Sequence, residues 1–215
     1  MKKIILTVAA VLTFGFANAQ SNEKGTIHLN LLGGLSLGSG VDKFSEPDSP
    51  QFKYKSTGGV YGLDFQYGLA DNISAGVGLE LGAYVFTPKD LASVDFTGLD
   101  YTMTTFKVTL GGRYYIVNSD DFNFFAGPKV GYISGKDALS GFGLEEGFVA
   151  SKYSGINVGL NTGINYYFTE AVGGIFQLGY DTNMTSTEET FEGVTFKTKR
   201  NFGGLNITAG LALKF

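Results

Sequence analysis

Apolar and polar residues alternate along most of the chain after Gln20, and no stretch there has the 3.6-residue period of an amphipathic helix. In residues 61–69, for example, Tyr, Leu and Phe side chains alternate with Gly, Asp and Gln. This pattern predicts β-strands with one apolar and one polar face. Eight such runs occur, at residues 25–37, 61–69, 75–85, 106–116, 124–132, 156–168, 176–180 and 205–215.

The connections between these runs alternate between short and long. The short ones, at residues 70–72, 118–121 and 169–171, hold residues such as Asp, Asn and Ser, whose side chains hydrogen-bond their own backbone in turns. The long polar ones cover about residues 38–57, 87–100, 135–152 and 183–199. An antiparallel meander with these connections has its short turns and both termini at one end.

Alternation alone is compatible with a soluble barrel, whose apolar face points inward, and with a membrane barrel, whose apolar face points outward. The polar face here is rich in Gly, Asn and Thr, which suits a narrow lumen better than a water-exposed surface. The apolar face is uncharged over the roughly 9–11 residues that a tilted spanning strand needs. Aromatic residues lie at both ends of that face, as in membrane-barrel girdles, for example Tyr67 and Tyr166 near the short turns and Tyr61 and Tyr180 toward the long connections.

Residues 1–19 have the features of a secretory signal peptide, so we expect a cleaved signal followed by a mature domain of residues 20–215. Lys2 and Lys3 form the positive region, and residues 4–16 form an apolar core too short to span a bilayer. Ala17-Asn18-Ala19 forms a small-x-small cleavage site. The alternative is a buried amino-terminal helix. Export of the chain would make the outer membrane of a Gram-negative cell available to it.

A sheet that spans a membrane must close on itself, because an open edge leaves backbone groups unpaired in hydrocarbon. Closure here requires residues 25–37 to pair with residues 205–215. The sequence therefore predicts an all-β fold, an eight-stranded antiparallel up-and-down transmembrane β-barrel that lies in the outer membrane. We expect a monomer, since closure leaves no strand edge to share.

Several motifs give the chain a resemblance to the small OmpA/OmpX-like outer-membrane β-barrels of Bacteroidetes-type bacteria, a porin-family-like class. They are Ala17-Asn18-Ala19, the eight-strand rhythm, the Gly–aromatic stretches at residues 111–115 and 179–180, and the terminal Leu213-Lys214-Phe215. The resemblance implies an integral outer-membrane protein, surrounded by lipid and lipopolysaccharide. It also implies that Phe215 is the signal read by the barrel-assembly machinery. It says little about activity, because the same barrel supports many functions.

Charged residues on the polar face are predicted to form a network in the lumen. Alternation turns three acidic and four basic side chains inward: Asp64, Glu80, Asp181, Lys107, Arg113, Lys129 and Lys214. The interior of an eight-stranded barrel is just wide enough for side chains to fill it, so buried charges there must pair. We expect a plug that fixes the barrel, with Glu80 paired to Lys107 or Arg113. The alternative is a gate that rearranges to pass ions.

Composition and the single histidine argue against an enzyme or a cofactor protein. The chain has no Cys, which excludes disulfides and thiolate chemistry, and its formal net charge of −4 makes a nucleic-acid partner unfavourable. His28, on the first strand, has Thr26 and Asn30 as same-face neighbours, which complete no catalytic triad. A lone histidine without Cys makes a poor zinc site, and the acidic loop clusters lack calcium-loop spacing. We therefore predict no catalytic residue, no metal and no cofactor.

The long connections are the better candidates for function, because loops on a rigid scaffold usually carry it. Aromatic residues in two of them, Phe44, Phe52 and Tyr54 in the first and residues 191–196 in the last, suggest strand extensions above the membrane. The leading hypothesis is a non-enzymatic outer-membrane barrel with a structural or surface-contact role, including contacts with other surface proteins or a host. The alternative is a narrow, porin-like channel for small or apolar solutes.

Overall fold

The computed structural model describes residues 22–44, 51–89, 99–141, 151–191 and 194–215. Within these ranges the chain forms one closed barrel in which each strand pairs antiparallel with its sequence neighbours. The predicted eight-stranded antiparallel fold is confirmed. The strands are β1 (Ile27–Phe44), β2 (Phe52–Ala70), β3 (Ile73–Pro88), β4 (Leu99–Asn118), β5 (Phe122–Gly141), β6 (Lys152–Tyr167), β7 (Val172–Phe191) and β8 (Val194–Lys214).

The described residues include no helix long and apolar enough to cross a membrane.

The barrel closes where β1 meets β8. Their pairing runs from His28, opposite Lys214, to Phe44, opposite Thr198. The backbones of Ile27 and Phe215 exchange two further hydrogen bonds of 2.9 Å. The predicted seam is therefore confirmed, and it continues well beyond the predicted end of the first strand at Leu37.

The strands are 16 to 21 residues long, much longer than the apolar runs predict. Residues that the sequence places in long connections continue the strands instead, as in the β7–β8 hairpin, which stays paired as far as Phe191 and Val194. The boundaries differ because backbone pairing continues where outward side chains change from apolar to Ser, Thr and Lys. Beyond the band, apolar residues such as Tyr54 and Phe202 point inward instead of outward, so the alternation that marks a lipid-facing strand is interrupted in the sequence.

The outer wall carries a broad apolar band. Leu35, Leu110 and Leu160 are 58, 62 and 65% exposed, as lipid-facing side chains must be in an isolated chain. A strand of about 20 residues tilted by about 40° rises roughly 50 Å, about twice the height of such a band. The short turns lie at one end, here called the turn end, and the strands project beyond the band at the other, here called the loop end.

Candidate functional site

The lumen is filled in three layers, two of which are apolar. The loop-side plug is a cluster of buried side chains toward the loop end: Tyr54, Val60, Tyr84, Phe86, Met103, Ile133, Tyr153 and Phe202. The turn-side plug lies toward the short turns and consists of Tyr115, Phe125, Tyr167, Ile175 and Ala212. Between them, the inward positions of the same strands are polar or charged. Small Gly residues and large aromatic residues share the inward face, which lets the rings fill a narrow lumen.

Arg200 packs against the rings of the loop-side plug, although its position lies between the last predicted connection and the last predicted strand. Its Nε and Nη2 donate hydrogen bonds to the Asp42 carboxylate at 2.9 and 2.7 Å, and its Nη1 donates to Asp137 Oδ2 at 3.2 Å. The guanidinium carbon lies 4.3 Å from the ring centroid of Tyr153 and 4.6 Å from that of Tyr101. These distances allow cation–π attraction in addition to the two ion pairs.

Burial and neighbouring charges change the pKa of Arg200 and of Tyr153 beside it. The outward positions beside it, Lys199 and Asn201, are polar, so this cluster lies beyond the apolar band. Burial opposes the charge of Arg200, but the hydrogen bonds and charge of Asp42 outweigh it and raise the pKa of the guanidinium. Burial raises the pKa of Tyr153 to about 12, against the opposing effect of Arg200. Arg200 therefore stays charged and Tyr153 stays neutral at physiological pH.

Lys107 is the centre of the polar layer. Its Nζ lies 2.6 Å from Glu80 Oε1 on the neighbouring strand and 3.5 Å from Asp181 Oδ2 across the lumen. Lys129 Nζ approaches the other oxygen of Asp181 at 2.9 Å. The side chains of Lys107 and Asp181 are only 1% and 3% exposed, so these charges are compensated by each other rather than by solvent.

Arg113 and Asp64 form a second ion pair in the polar layer, with Arg113 Nη2 2.6 Å from Asp64 Oδ2. Asp64 also accepts hydrogen bonds from Asn30 and Gln66, both at 2.9 Å. The guanidinium of Arg113 lies 4.1 Å from the ring centroid of Phe125, which belongs to the turn-side plug. Arg113 thus connects the polar layer to the plug below it.

Lys214 faces the lumen at the turn end, apart from the other predicted charges. Its Nζ donates to the Asp120 carbonyl at 3.3 Å and lies 4.5 Å from the Tyr167 ring centroid. His28 is fully buried nearby, and its two ring nitrogens contact Tyr167 Oη at 2.8 Å and Asn22 Oδ1 at 3.2 Å. Neither partner is a serine or a carboxylate, so this histidine is arranged as a structural group.

A cavity of about 60 Å³ with both polar and apolar lining lies between the two plugs. Asp64, Glu80 and Lys129 line it, together with the amides of Gln177 and Asn206. Gln177 Oε1 and Asn206 Nδ2 are buried and have no protein hydrogen-bond partner within the described part of the chain. Buried amides with unmet hydrogen bonds beside a cavity of this size suit a small cluster of waters.

A second cavity, of about 520 Å³, opens on the outer wall of the barrel along β5 to β8. Its lining is mostly apolar and includes Pro128, Leu160 and Leu205. The β4–β5 pairing is interrupted between Gly111–Lys129 and Tyr114–Ala126 without a change of register, and Pro128 lies in the gap, since proline has no N–H to donate to the ladder. Asn161 and Gly179 line both this crevice and the lumen cavity, so the wall between them is thin.

The structure brings the predicted residues together as two groups. One holds Glu80, Lys107, Lys129 and Asp181, and the other holds Asp64 with Arg113. The sequence did not indicate the Arg200 cluster, because Asp42 and Asp137 were assigned to connections and Arg200 lies between the last predicted connection and the last predicted strand. Tyr54, which the sequence places in the first long connection, is 6% exposed and donates a hydrogen bond to Asp42. No group of three or more His, Cys, Asp or Glu side chains that could hold a metal ion occurs in the described ranges.

Comparison with known proteins identifies the class that this fold defines. Residues 18–189 match the outer membrane protein beta-barrel domain family, and the chain belongs to that family. The protein is therefore an integral outer-membrane β-barrel, as its apolar outer wall indicates. No curated protein sequence is detectably similar to it.

Solved structures share the fold at low sequence identity. The outer membrane protein OprG from Pseudomonas aeruginosa superimposes with a TM-score of 0.63 at 18% identity, over 92% of this chain and 99% of OprG. The outer membrane protein AlkL, determined in DMPC bilayers, gives 0.55 at 14% identity, over 92% and 93% of the two chains. The outer membrane protease OmpT from Escherichia coli gives 0.51 at 12% identity, over 93% and 99%. These similarities extend to the fold and not to activity.

Proposed function

We propose that this protein is a non-enzymatic outer-membrane barrel whose lumen is closed, and that it acts through the part that stands above the membrane. The observation that carries the proposal is the closure of the lumen at two levels. Phe125 and Ile133, one in each plug, are 0% exposed, and Phe202 is 2% exposed. A hydrated ion cannot pass rings packed this closely without their displacement.

The charged residues between the two plugs favour a fixed, closed lumen over a gate that rearranges to pass ions. Lys107 contacts carboxylates on two walls of the lumen, and Arg113 is held by both Asp64 and the Phe125 ring. Moving either cation would leave its partners buried and uncompensated, at a cost of about 3–5 kcal/mol. We infer that the network of Asp64, Glu80, Lys107, Arg113, Lys129 and Asp181 fixes the barrel rather than conducts.

The proposal also covers the orientation of the barrel in the membrane and its biogenesis. The turn end faces the periplasm, and the loop end faces the cell exterior. Residues 1–19 act as a cleaved signal peptide, and Phe215 is recognised by the barrel-assembly machinery. The closed strand ring supports a monomer, because it offers no unpaired strand edge within the membrane.

Planar-bilayer recording of the refolded protein tests the closed lumen. Heat-modifiable gel mobility first confirms that the barrel is folded. We expect a silent bilayer over a wide voltage range, with no discrete openings. Steady single-channel steps from a folded preparation would overturn the proposal and would make Glu80, Lys107 and Arg113 candidates for ion selectivity.

A cell-surface assay tests the role of the loop end. Shortening the β7–β8 hairpin by its last paired residues removes a projection whose strands are held by a Glu188–Lys197 ion pair of 2.6 Å. We expect unchanged folding and altered attachment of cells to protein-coated or host-cell surfaces. The control exchanges Glu188 and Lys197 for each other, which retains the projection. Equal attachment by all three forms would exclude this hairpin as the contact.

The crevice at Pro128 favours a second candidate function, a narrow passage for apolar solutes. Such a solute would leave the lumen sideways into the membrane, where Asn161 and Gly179 separate the crevice from the lumen cavity. A Cβ at Gly179 would lie 3.5 Å from the Leu160 carbonyl oxygen, which is an ordinary contact. Gly179→Val adds two further carbons beyond this Cβ, between the crevice and the lumen cavity, and should block this route; gel mobility establishes that the variant is folded.

Uptake of the apolar dye N-phenylnaphthylamine into proteoliposomes measures that passage. If the route exists, wild-type protein accelerates uptake several-fold over empty liposomes and Gly179→Val abolishes the gain. Gly59→Val is the matched control, because a Cβ at Gly59 meets no atom within 4 Å and the residue does not line the crevice. Uptake equal to that of empty liposomes would exclude the passage.

A further inference from the structure

Exposed lysines occur in facing pairs on the outside of the barrel, beyond the apolar band at the loop end. Lys43 is the direct cross-strand partner of Lys199, and Lys136 is that of Lys152. The backbones of Lys53 and Lys89 are joined by a 2.9 Å hydrogen bond, which places those two side by side as well. All six side chains are exposed. We call these residues the lysine ring.

Each pair sets like charges against one another. Like charges directly opposite on one face of a sheet are destabilising. No ion pair involves a ring lysine within the described ranges, and the carboxylate on that outward face, Glu188, is bound to Lys197. Three facing lysine pairs beyond the apolar band thus share an arrangement that an external anion between the ammonium groups would neutralise.

The height of the Lys136–Lys152 pair matches the lipid head groups at the loop end of the barrel. Lys136 follows Tyr132, a 54% exposed aromatic residue of the band, by four residues, and Lys152 precedes Ile156 by the same spacing. Four residues of a tilted strand rise roughly 10 Å, and head groups extend about 5–8 Å beyond the hydrocarbon. Lysine stems that bend back toward the membrane place their ammonium groups at the level of lipid phosphates.

We propose that the lysine ring binds the phosphate groups of lipopolysaccharide in the outer leaflet, with one phosphate bridging each pair of lysines. Two ammonium groups on one phosphate convert a repulsive pair into two charge-assisted hydrogen bonds. Bound in this way, the lipid ties β8 to β1, β2 to β3 and β5 to β6 at the membrane surface. The inference rests on the proposed orientation, in which the loop end faces the cell exterior, and holds whether or not the lumen conducts.

Urea unfolding of the protein in detergent micelles, followed by heat-modifiable gel mobility, tests the ring. The probes are lipid A, the phosphorylated anchor of lipopolysaccharide, and lipid A from which the phosphates have been removed. We expect lipid A to raise the urea midpoint of the wild type and dephosphorylated lipid A to leave it unchanged. In K136Q/K152Q and in K43Q/K199Q, the lipid A shift should fall by at least half.

The change in stability that the substitutions cause without lipid distinguishes lipid binding from a structural role of the lysines. In lipid-free micelles the double variants should be as stable as the wild type or more stable, because a repulsive pair has been removed. The matched control K24Q/K55Q loses two exposed lysines, neither of which is a cross-strand partner of another lysine, and should keep the full lipid A shift. A shift of equal size in K136Q/K152Q and wild type, or with dephosphorylated lipid A, would overturn the proposal. So would an equal shift with a soluble sulfated oligosaccharide, which would assign the ring to a soluble polyanion.

Discussion

Arg200 donates two hydrogen bonds, of 2.9 and 2.7 Å, to the carboxylate of Asp42 across the seam between β8 and β1. The two residues are register partners although they lie 158 positions apart in the chain. Nearby, the seam consists largely of Gly and Ser, where the strand register is weakly specified. This ion pair therefore fixes the alignment of the first and last strands beyond the membrane.

Removal of the Arg200 charge should strongly destabilise the barrel. In Arg200→Met, Asp42 and Asp137 lose their common partner and remain buried as carboxylates, which costs about 3–5 kcal/mol. Asp42→Asn should cost less, since Arg200 keeps its contact with Asp137. Urea unfolding followed by gel mobility measures both. Glu188→Gln, which breaks an exposed ion pair, serves as the control and should leave the midpoint unchanged. Equal midpoints for Arg200→Met and wild type would show that the seam does not need this pair.

Stability should decline at alkaline pH because of the tyrosines around Arg200. Burial raises the pKa of Tyr153 to about 12 in the folded protein, above its ordinary value of 10. The contribution of the protonated hydroxyl is complete below pH 10 and is lost as the pH rises toward 12, because the unfolded state releases the proton first. Tyrosinate absorbance and urea midpoints measured from pH 8 to about 12 follow this loss. Burial also raises the pKa of Tyr54 and Tyr101, so they contribute in the same direction.

Tyr153→Phe isolates the contribution of that one hydroxyl. The variant should lose less stability than the wild type as the pH rises from 10 to 12. Tyr61→Phe, at a 70% exposed position on the outer wall, is the matched control and should follow the wild type. A decline that is identical in Tyr153→Phe and wild type would mean that other groups control the alkaline transition.

Neutralising Glu80 tests whether the lumen charges are structural. Glu80→Gln replaces a 2.6 Å ion pair with a neutral hydrogen bond and leaves Lys107 with Asp181 at 3.5 Å. We expect the free energy of unfolding to fall by about 1–3 kcal/mol and the bilayer to remain silent. Urea unfolding and planar-bilayer recording of the same preparation measure the two effects. Unchanged stability together with altered conductance would favour a gate.

The sequence predicts the membrane-embedded half of the barrel well, because there each strand has lipid on one side and a polar lumen on the other. Residues 61–69 show this contrast fully, and the structure places all of them in β2. The contrast between an apolar outward face and a polar inward face disappears beyond the apolar band. Tyr54 continues the inward series of Ser56 and Gly58, but its outward neighbours are Lys53 and Lys55, so the segment resembles a loop.

The contacts of the candidate site are also predictable from the sequence only in part. Alternation suffices to turn Lys107 and Glu80 inward, and adjacency of their strands suggests the pair. It does not reveal that Lys107 also reaches Asp181, because that contact crosses the lumen between β4 and β7 and depends on barrel diameter. The lysine ring was equally hidden, since facing pairs such as Lys136 and Lys152 emerge only from the strand register.

The two plugs should block the lumen independently, as closures in series. Tyr84 and Phe202 pack edge to face, with ring centroids 5.4 Å apart, in the loop-side plug, and Phe125 and Tyr167 belong to the turn-side plug. Y84A/F202A should remain silent in a planar bilayer because the turn-side plug is intact, and F125A/Y167A should remain silent because the loop-side plug is intact. The quadruple variant should show discrete openings.

The comparison requires that every variant is folded, which heat-modifiable gel mobility establishes before recording. Phe106→Ala, at a 44% exposed position on the lipid-facing wall, controls for loss of an aromatic ring outside the lumen and should be silent. If either double variant conducts as well as the quadruple one, a single constriction closes the barrel. If the folded quadruple variant is silent, the ion pairs between the plugs are themselves sufficient to close it, because Lys107, Asp181 and Lys129 bridge the lumen at that level.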